Sequence, residues 1–168
     1  MPVDAFQSEL VALLPRMRRF ACALTRQMAD ADDIVQLAAE RALKSRHQWQ
    51  AGTRLDSWLF RIVRNAWIDE TRARGRRERL VDPDADGAAA GIDPTPALEA
   101  RIDLGKAQAA MDRLPPEQRE AIALVLVEGL GYAEAAAVLD IPLGTLTSRL
   151  LRGRAALARM LTEGADAD

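Results

Sequence analysis

Apolar residues recur at steps of three and four along most of this chain, and no stretch alternates with period two for long enough to predict a strand. Phe6, Leu10, Leu13, Leu14, Met17, Phe20, Ala21 and Leu24 predict a helix from Asp4 to about Met28, with Pro15 expected to kink or divide it. Ile34, Val35, Leu37, Ala38, Ala42 and Leu43 predict a second, about Ala31 to Arg46. The acids just before and inside it, Asp30, Asp32 and Asp33, suit a cap and the positive end of its dipole. After a loop from His47 to Thr53, Leu55, Trp58, Leu59, Ile62, Val63 and Ala66 give a long helix its buried face. Leu98, Ile102, Ala109, Met111 and Leu114 make a modest amphipathic helix ended by Pro115-Pro116. The next, Glu117 to Val127, is strongly apolar at Ala121, Ile122, Leu124, Val125 and Leu126 and closes at Glu128-Gly129.

The last two helices stand apart. Tyr132 to Leu139 is Ala-rich, with Ala135, Ala136 and Leu139 on one face. Asp140-Ile141-Pro142 interrupts the pattern, because proline disfavours helix in the residue before it. A helix then starts near Leu143 with Leu146, Leu150, Gly153 and Leu157 on one face, and Thr145, Ser148, Arg149 and Arg152 away from it. Two helices joined by so short a turn, the second rich in arginine, form the pattern of a helix-turn-helix whose second helix can enter a DNA major groove. An Ala-rich hairpin with a solvated arginine face has the same pattern.

Between Asp82 and Glu99 the composition changes to three prolines, two glycines, five acids and no base. Such a segment buries too little to order itself. The expectation is an all-α protein: a helical domain over 1–79, a flexible acidic linker over 80–97, and a second helical domain over 98–168 with the helix-turn-helix.

Charge sharpens this picture. The net charge is −2, so the chain is not uniformly basic, but arginines 72, 74, 76, 77 and 79 against Glu78 give a local excess. Arginines crowded at one helix end repel one another, and a polyanion beside them relieves that repulsion and releases counterions. Arg61, Asn65, Ile68 and Arg72 fall on one stripe of the same helix. Trp49, Trp58 and Trp67 cluster around it; Trp58 belongs to the apolar face, and Trp67 is open to stacking or to a partner. Asp32, Asp33, Gln36 and Glu40 give the second helix an acidic outer side, read either as a solvated face or as a docking surface. Cys22 is the one cysteine and His47 the one histidine, so neither a disulfide nor a Cys/His zinc site can form within the chain. No nucleophile or metal-ligand spacing supports an enzyme, and no cofactor is expected. Without a basic start leading into an apolar run, or 18 consecutive apolar residues, the expected location is the cytoplasm, with no membrane insertion.

Three segments carry a resemblance. DADDIVQLAAERAL, then GTRLDSWLFRIVRNAWIDETRARGRR, then LPPEQREAIAL with GYAEAAAVLDIPLGTLTSRLLRGRAAL resemble, in order, the motifs of extracytoplasmic-function (ECF, group IV) sigma factors of the sigma-70 family. Together they cover nearly the whole chain. Departures are Leu37-Ala38-Ala39, Pro142-Leu143 and Gly153, where alanine is common. The resemblance implies a dissociable subunit that gives RNA polymerase core its promoter choice. It implies that Asp32, Asp33, Gln36, Glu40 and Arg41 grip the beta-prime clamp of the polymerase, and that the second domain meets the beta flap. It further implies that the His47–Thr53 loop, with Trp49, Gly52 and Thr53, receives a base flipped from the −10 element of promoter DNA. Arg61, Arg64, Asn65, Ile68, Asp69, Arg72, Arg76 and Arg77 would follow the melted strand. Thr145, Thr147, Ser148, Arg149 and Arg152 would read the −35 element as duplex. An anti-sigma factor is an expected partner, over the Ile34–Leu43 helix and the Arg149 helix, with Val127, Leu130 and Leu151 as apolar contacts. The alternative is a sigma-like decoy that sequesters an anti-sigma factor without binding DNA.

Overall fold

The computed structural model describes residues 4–81 and 98–165, with side chains placed for 4–80 and 104–164. It divides into two compact units, Met1–Ala90 and Gly91–Asp168. The described residues contain no strand. Most of the expected linker, from residue 82 to 97, and the side chains of Leu98 and Ile102 lie outside what is described.

The amino-terminal unit is three helices packed pairwise on one another: α1 (Ala5–Thr25), α2 (Met28–Lys44) and α3 (Leu55–Val81). A single 3₁₀ turn, Arg46–Gln48, follows α2. Asp4 caps α1 by accepting from the Phe6 N–H, and Arg26 ends it in the left-handed region at φ 62°. Pro15 does not divide α1. It lies on the exposed side, beside Val11, where water can reach the carbonyl that proline leaves without a donor. No acid caps α2: Gln27 stands at the cap position without a side-chain bond, and Asp30 is in the first turn. The core joins Met17, Phe20, Ala21 and Leu24 to Ile34 and Ala38 and to Leu59, Phe60, Val63 and Ala66. Phe20 and Phe60 meet edge-on at 5.3 Å. Trp58 and Ile62, expected in the core, are half-buried, because Phe60 and Asp56 take the inner positions.

In the carboxy-terminal unit α7 (Leu143–Ala165) is the common partner of α4 (Leu98–Asp112), α5 (Pro116–Ile122) and α6 (Tyr132–Leu139). Helix α5 runs into a π-helical turn, Ala123–Val127, closed by the Glu128 N–H donating to the Ala123 carbonyl at 2.9 Å. The wider turn shifts the phase of the apolar run, leaving Leu126 and Val127 exposed while Leu124 and Leu130 are buried. Gly153 explains its own departure from alanine: a Cβ there would stand 3.0 Å from Cγ1 of Ile122, so the missing side chain lets α7 approach α5. Arg119, 3% exposed, donates to the Leu114 carbonyl at 3.1 Å and ties the α4–α5 turn to α5.

The turn between α6 and α7 is built from backbone bonds. Asp140 adopts the left-handed region at φ 53°, its N–H donates to the Ala137 carbonyl at 3.3 Å, and the Ile141 N–H donates to Ala136 at 3.1 Å. This pair of bonds is a Schellman closure, with aspartate where glycine is usual. At the other end of α6, Glu134 reaches back to accept from the Gly131 N–H at 3.0 Å.

Candidate nucleic-acid interface

Helix α3 carries seven arginines between 61 and 79, and its partners sort them. Arg74 donates to both oxygens of Asp30 on α2 at 3.1 and 3.3 Å, and Arg77 to Glu70 on its own helix at 2.8 Å. These two are struts. Arg72, Arg76 and Arg79 are exposed and have no ion-pair partner among the described residues. At 100° per residue they line up with Arg61, Asn65 and Ile68, steps of four, three, four, four and three, as one stripe about 27 Å long. Arg61 and Asn65 are exposed on it and Ile68 is half-buried; Arg64 is half-buried to one side.

Two expected roles turn out to be one contact. Arg41 on α2 donates to Asp69 on α3 at 2.8 Å, so a residue assigned to polymerase and one assigned to DNA are partners of each other. Arg41 therefore does not stand with the acidic face, whereas Asp32, Asp33, Gln36 and Glu40 do, all exposed along one side of α2 with Leu43 at its end. Asp32 is itself held by Arg18 at 2.6 and 3.2 Å, and the hydrogen bond from that guanidinium lowers the Asp32 carboxyl below its ordinary pKa.

Loop 46–54 precedes α3. Gly52 sits at φ 92°, a conformation other residues rarely adopt, and the Thr53 N–H and hydroxyl both donate to the Gln50 carbonyl, at 3.1 and 2.7 Å. Trp49 does not stand out from this loop. Its ring packs on Phe6 with centroids 5.8 Å apart, and Phe6 packs in turn on Trp58 at 6.2 Å. At the loop's end, Asp56 is buried and accepts from Arg54 at 2.7 and 3.1 Å, from Arg16 at 2.9 Å and from the Ser57 N–H at 2.8 Å. Burial alone would raise the Asp56 carboxyl; the bonds from Arg54, Arg16 and Ser57 outweigh it and hold the group below its ordinary pKa. Trp67 lines a separate cleft of 190 Å³ with Asp30, Asp33, Ile34, Glu70 and Arg74.

On α7, Ser148 and Arg152 are exposed, while Thr145 and Arg149 flank the buried stripe and are half-buried. Arg152 Nε donates to the Ser148 carbonyl at 3.3 Å, which lays the guanidinium along the helix surface. Thr147 lies apart from these four, its hydroxyl spent on the Leu143 carbonyl at 3.0 Å. Leu151 and Val127 are exposed apolar residues as expected, but Leu130 is 3% exposed and cannot be a partner contact. Its N–H donates to Leu124 across the π turn, and that bond draws the side chain into the core. The buried charges Asp56, Arg119, Glu120 and Glu128 were missed by pattern reading. Arg119 had a signal, lying three residues after Pro116 at a helix start, where a long donor reaches back to the preceding carbonyls.

Comparison with known proteins finds a family match for each of the two units. Residues 10–77 match the family "Sigma-70 region 2" and residues 104–157 match "Sigma-70, region 4". The chain is 37% identical to the ECF RNA polymerase sigma factor EcfG of Rhodopseudomonas palustris, over 99% of its own length and 91% of that relative's. Its fold is similar to the sigma factor RpoE of Bartonella quintana, solved with the anti-sigma factor NepR: TM-score 0.84, 34% identity, 94% of this chain and 96% of that one. It is also similar to CnrH, solved with the cytosolic domain of CnrY: TM-score 0.68, 26% identity, 98% of this chain and 89% of that one. Two matched sigma regions in order, on a chain related along its length to a sigma factor, place this protein among the extracytoplasmic-function RNA polymerase sigma factors of the sigma-70 family.

Proposed function

We propose that this sigma factor divides promoter recognition between its two units, α3 and the loop before it taking the melted −10 strand and α7 reading the −35 duplex. The observation that carries the reading is the sorting of arginines on α3: ion pairs hold Arg74 and Arg77, while Arg72, Arg76 and Arg79 extend the line of Arg61 and Asn65. A basic line with a loop at its start suits an unstacked strand whose base is turned out. Ser148 and Arg152, with Thr145 and Arg149 at the margin, suit base edges and phosphates of a major groove. Asp69 and Arg41 support this interface by bracing α2 against α3. The exposed side of α2, with Asp32, Asp33, Gln36, Glu40 and Leu43, is the face for the beta-prime clamp of RNA polymerase core, and the carboxy-terminal unit for its beta flap.

The domain division that goes with this reading is 1–79 for the −10 unit, 80–97 for the linker and 98–168 for the −35 unit, with α3 itself reaching Val81. The solved relative RpoE is bound to an anti-sigma factor, which supports the same control here, through α2 and the exposed Leu151 and Val127. The protein would act in the cytoplasm, where polymerase and promoter are, and it needs no catalysis of its own; no helix among the described residues is long and apolar enough to cross a membrane. A decoy would have no use for an exposed arginine line, and none of the features described favours it. Run-off transcription with purified core polymerase tests the reading. Transcripts should appear only with this subunit and only from templates carrying both its −35 and −10 elements. Binding of anti-sigma factor without any transcript from a genomic promoter library would establish the decoy instead.

A further inference from the structure

The loop that captures a base on the reading above has little structure of its own. Beyond the 3₁₀ turn and the Thr53–Gln50 bonds, Gln48, Gln50, Ala51 and Gly52 are exposed. Its shape is imported from α1. At its start, Arg46 Nη1 pairs with Asp4 Oδ2 at 2.6 Å, and Asp4 is also the cap of α1. In its middle, the Trp49 ring lies on Phe6, which is 7% exposed and itself backed by Trp58. At its end, Arg54 shares the Asp56 carboxylate with Arg16 of α1. The Trp49 indole N–H is buried and without an acceptor among the described residues, so packing alone holds the ring.

We propose that α1 sets the conformation of the base-reading loop through Asp4, Phe6 and Arg16, which makes Trp49 a positioning residue that acts through Phe6 and not a DNA contact. A flexible loop must be ordered at the moment a base enters it, and that ordering subtracts from the free energy available to hold the base out of the stack. A loop already fixed at its start, middle and end avoids the loss. The inference rests on the base-capture reading, and the test separates the two.

Holoenzyme is reconstituted from core polymerase and each full-length variant, and opening is followed with 2-aminopurine in the −10 element at saturating promoter occupancy. Phe6→Leu keeps the apolar bulk of a core residue and removes only the ring. Phe6→Leu and Trp49→Ala should each lower opening about tenfold, and the double variant also about tenfold, because both delete one contact. Trp49→Phe, which keeps an aromatic ring for Phe6 while giving up the unpartnered N–H and part of the indole's area, should recover most of the opening. On the surface, Asp4→Asn keeps the capping oxygen and drops the charge; its roughly twofold loss should match that of Arg46→Ala and not deepen in the pair. A hundredfold fall in the Phe6→Leu/Trp49→Ala double variant, or wild-type opening with Phe6→Leu alone, would overturn the proposal and return Trp49 to the DNA. Gly52→Ala strains the loop backbone and leaves α1 untouched. Normal opening with Gly52→Ala would mean that no base enters this loop, and the base-capture reading would fall first.

Discussion

The two units solve the same problem, a small helical core beside a DNA-binding surface, with different materials. The amino-terminal unit braces its helices from outside, with arginine–carboxylate pairs that run between elements: Arg18 to Asp32, Arg41 to Asp69, Arg74 to Asp30 and Arg16 to Asp56. The carboxy-terminal unit is drawn together from inside, by Ala121, Ala123, Ala135, Ala136 and Ala156, by Gly153 against Ile122, and by backbone closures at Asp140 and Gly131. Where small side chains do the packing, α7 can keep Ser148 and Arg152 for a ligand. Where arginine is both brace and contact, composition cannot tell the two apart, and the partner across the helix decides.

The largest effect should come from the inside of the carboxy-terminal unit. Leu146 is fully buried in α7, and Leu146→Ala should destabilise that unit by about 2–5 kcal/mol through lost burial and a residual cavity. Calorimetry of the full chain should show one transition moved down and the amino-terminal one unmoved. If both move together, the contrast between separately stabilised units is wrong. Next in size is the surface of the same helix. Arg152→Ala should weaken binding to the −35 duplex by about 1–3 kcal/mol if the guanidinium is bidentate to a base. The loss should be confined to the true element in a competition assay. An equal loss on scrambled duplex would make Arg152 a phosphate anchor, and the two units would then differ less than they look.

How much of this could be read from residues alone follows the same divide. The three- and four-residue apolar steps place every helix of both units to within a few residues, because that periodicity is what burial of one helix face requires. Charged residues defeat the pattern. Asp56 is met by Arg54, two positions away, and also by Arg16, forty positions earlier, and a window along the chain holds no trace of the second meeting. Trp49 is tied to DNA only through the resemblance of its loop to a base-capturing one, and its packing on Phe6, which lies on a different helix, has no signal in the local sequence. Leu130 is misplaced because it follows the close of the run at Glu128-Gly129, with Gly129 in the left-handed region, and its N–H bonds back to Leu124 across the π turn, which no helical phase carries past Gly129. The arginines of α3 are a different case: helical angle already separates 72, 76 and 79 from 74 and 77, and only the acids facing the second pair were overlooked.

The Asp56 brace gives a smaller, pH-dependent effect. Its carboxyl is depressed in the folded protein, so its stabilisation is complete above the unfolded carboxyl value, about 4. It is lost as pH falls through the lower folded value, where the unfolded chain binds the extra proton. Asp56→Asn should therefore lower the amino-terminal melting temperature at neutral pH and flatten its decline in acid, with the wild-type and variant curves converging toward the acid end. Parallel curves down to the lowest pH at which the unit stays folded would show that Asp56 braces the loop by shape and not by charge. The carboxy-terminal transition serves as the internal control, since Asp56 belongs to the other unit.

The smallest effect separates brace from contact on a single helix. Arg76 and Arg77 are neighbours in sequence with the same formal charge, but Arg77 donates to Glu70 and Arg76 has no ion-pair partner among the described residues. If Arg76 meets a phosphate, it displaces a condensed counterion there, and the salt dependence of holoenzyme binding records it. Arg76→Ala should make the slope of log K against log salt shallower by about 0.7–0.9, the contribution of one phosphate on single-stranded or duplex DNA. Arg77→Ala should leave the slope unchanged, because its charge is already matched within α3; an exposed pair of this kind is worth at most about 1 kcal/mol to stability. Net charge changes equally in the two variants, so a general electrostatic effect would move both slopes together. Equal slopes for both would mean that the pairing seen on α3 does not sort its arginines, and composition would have been the better guide after all.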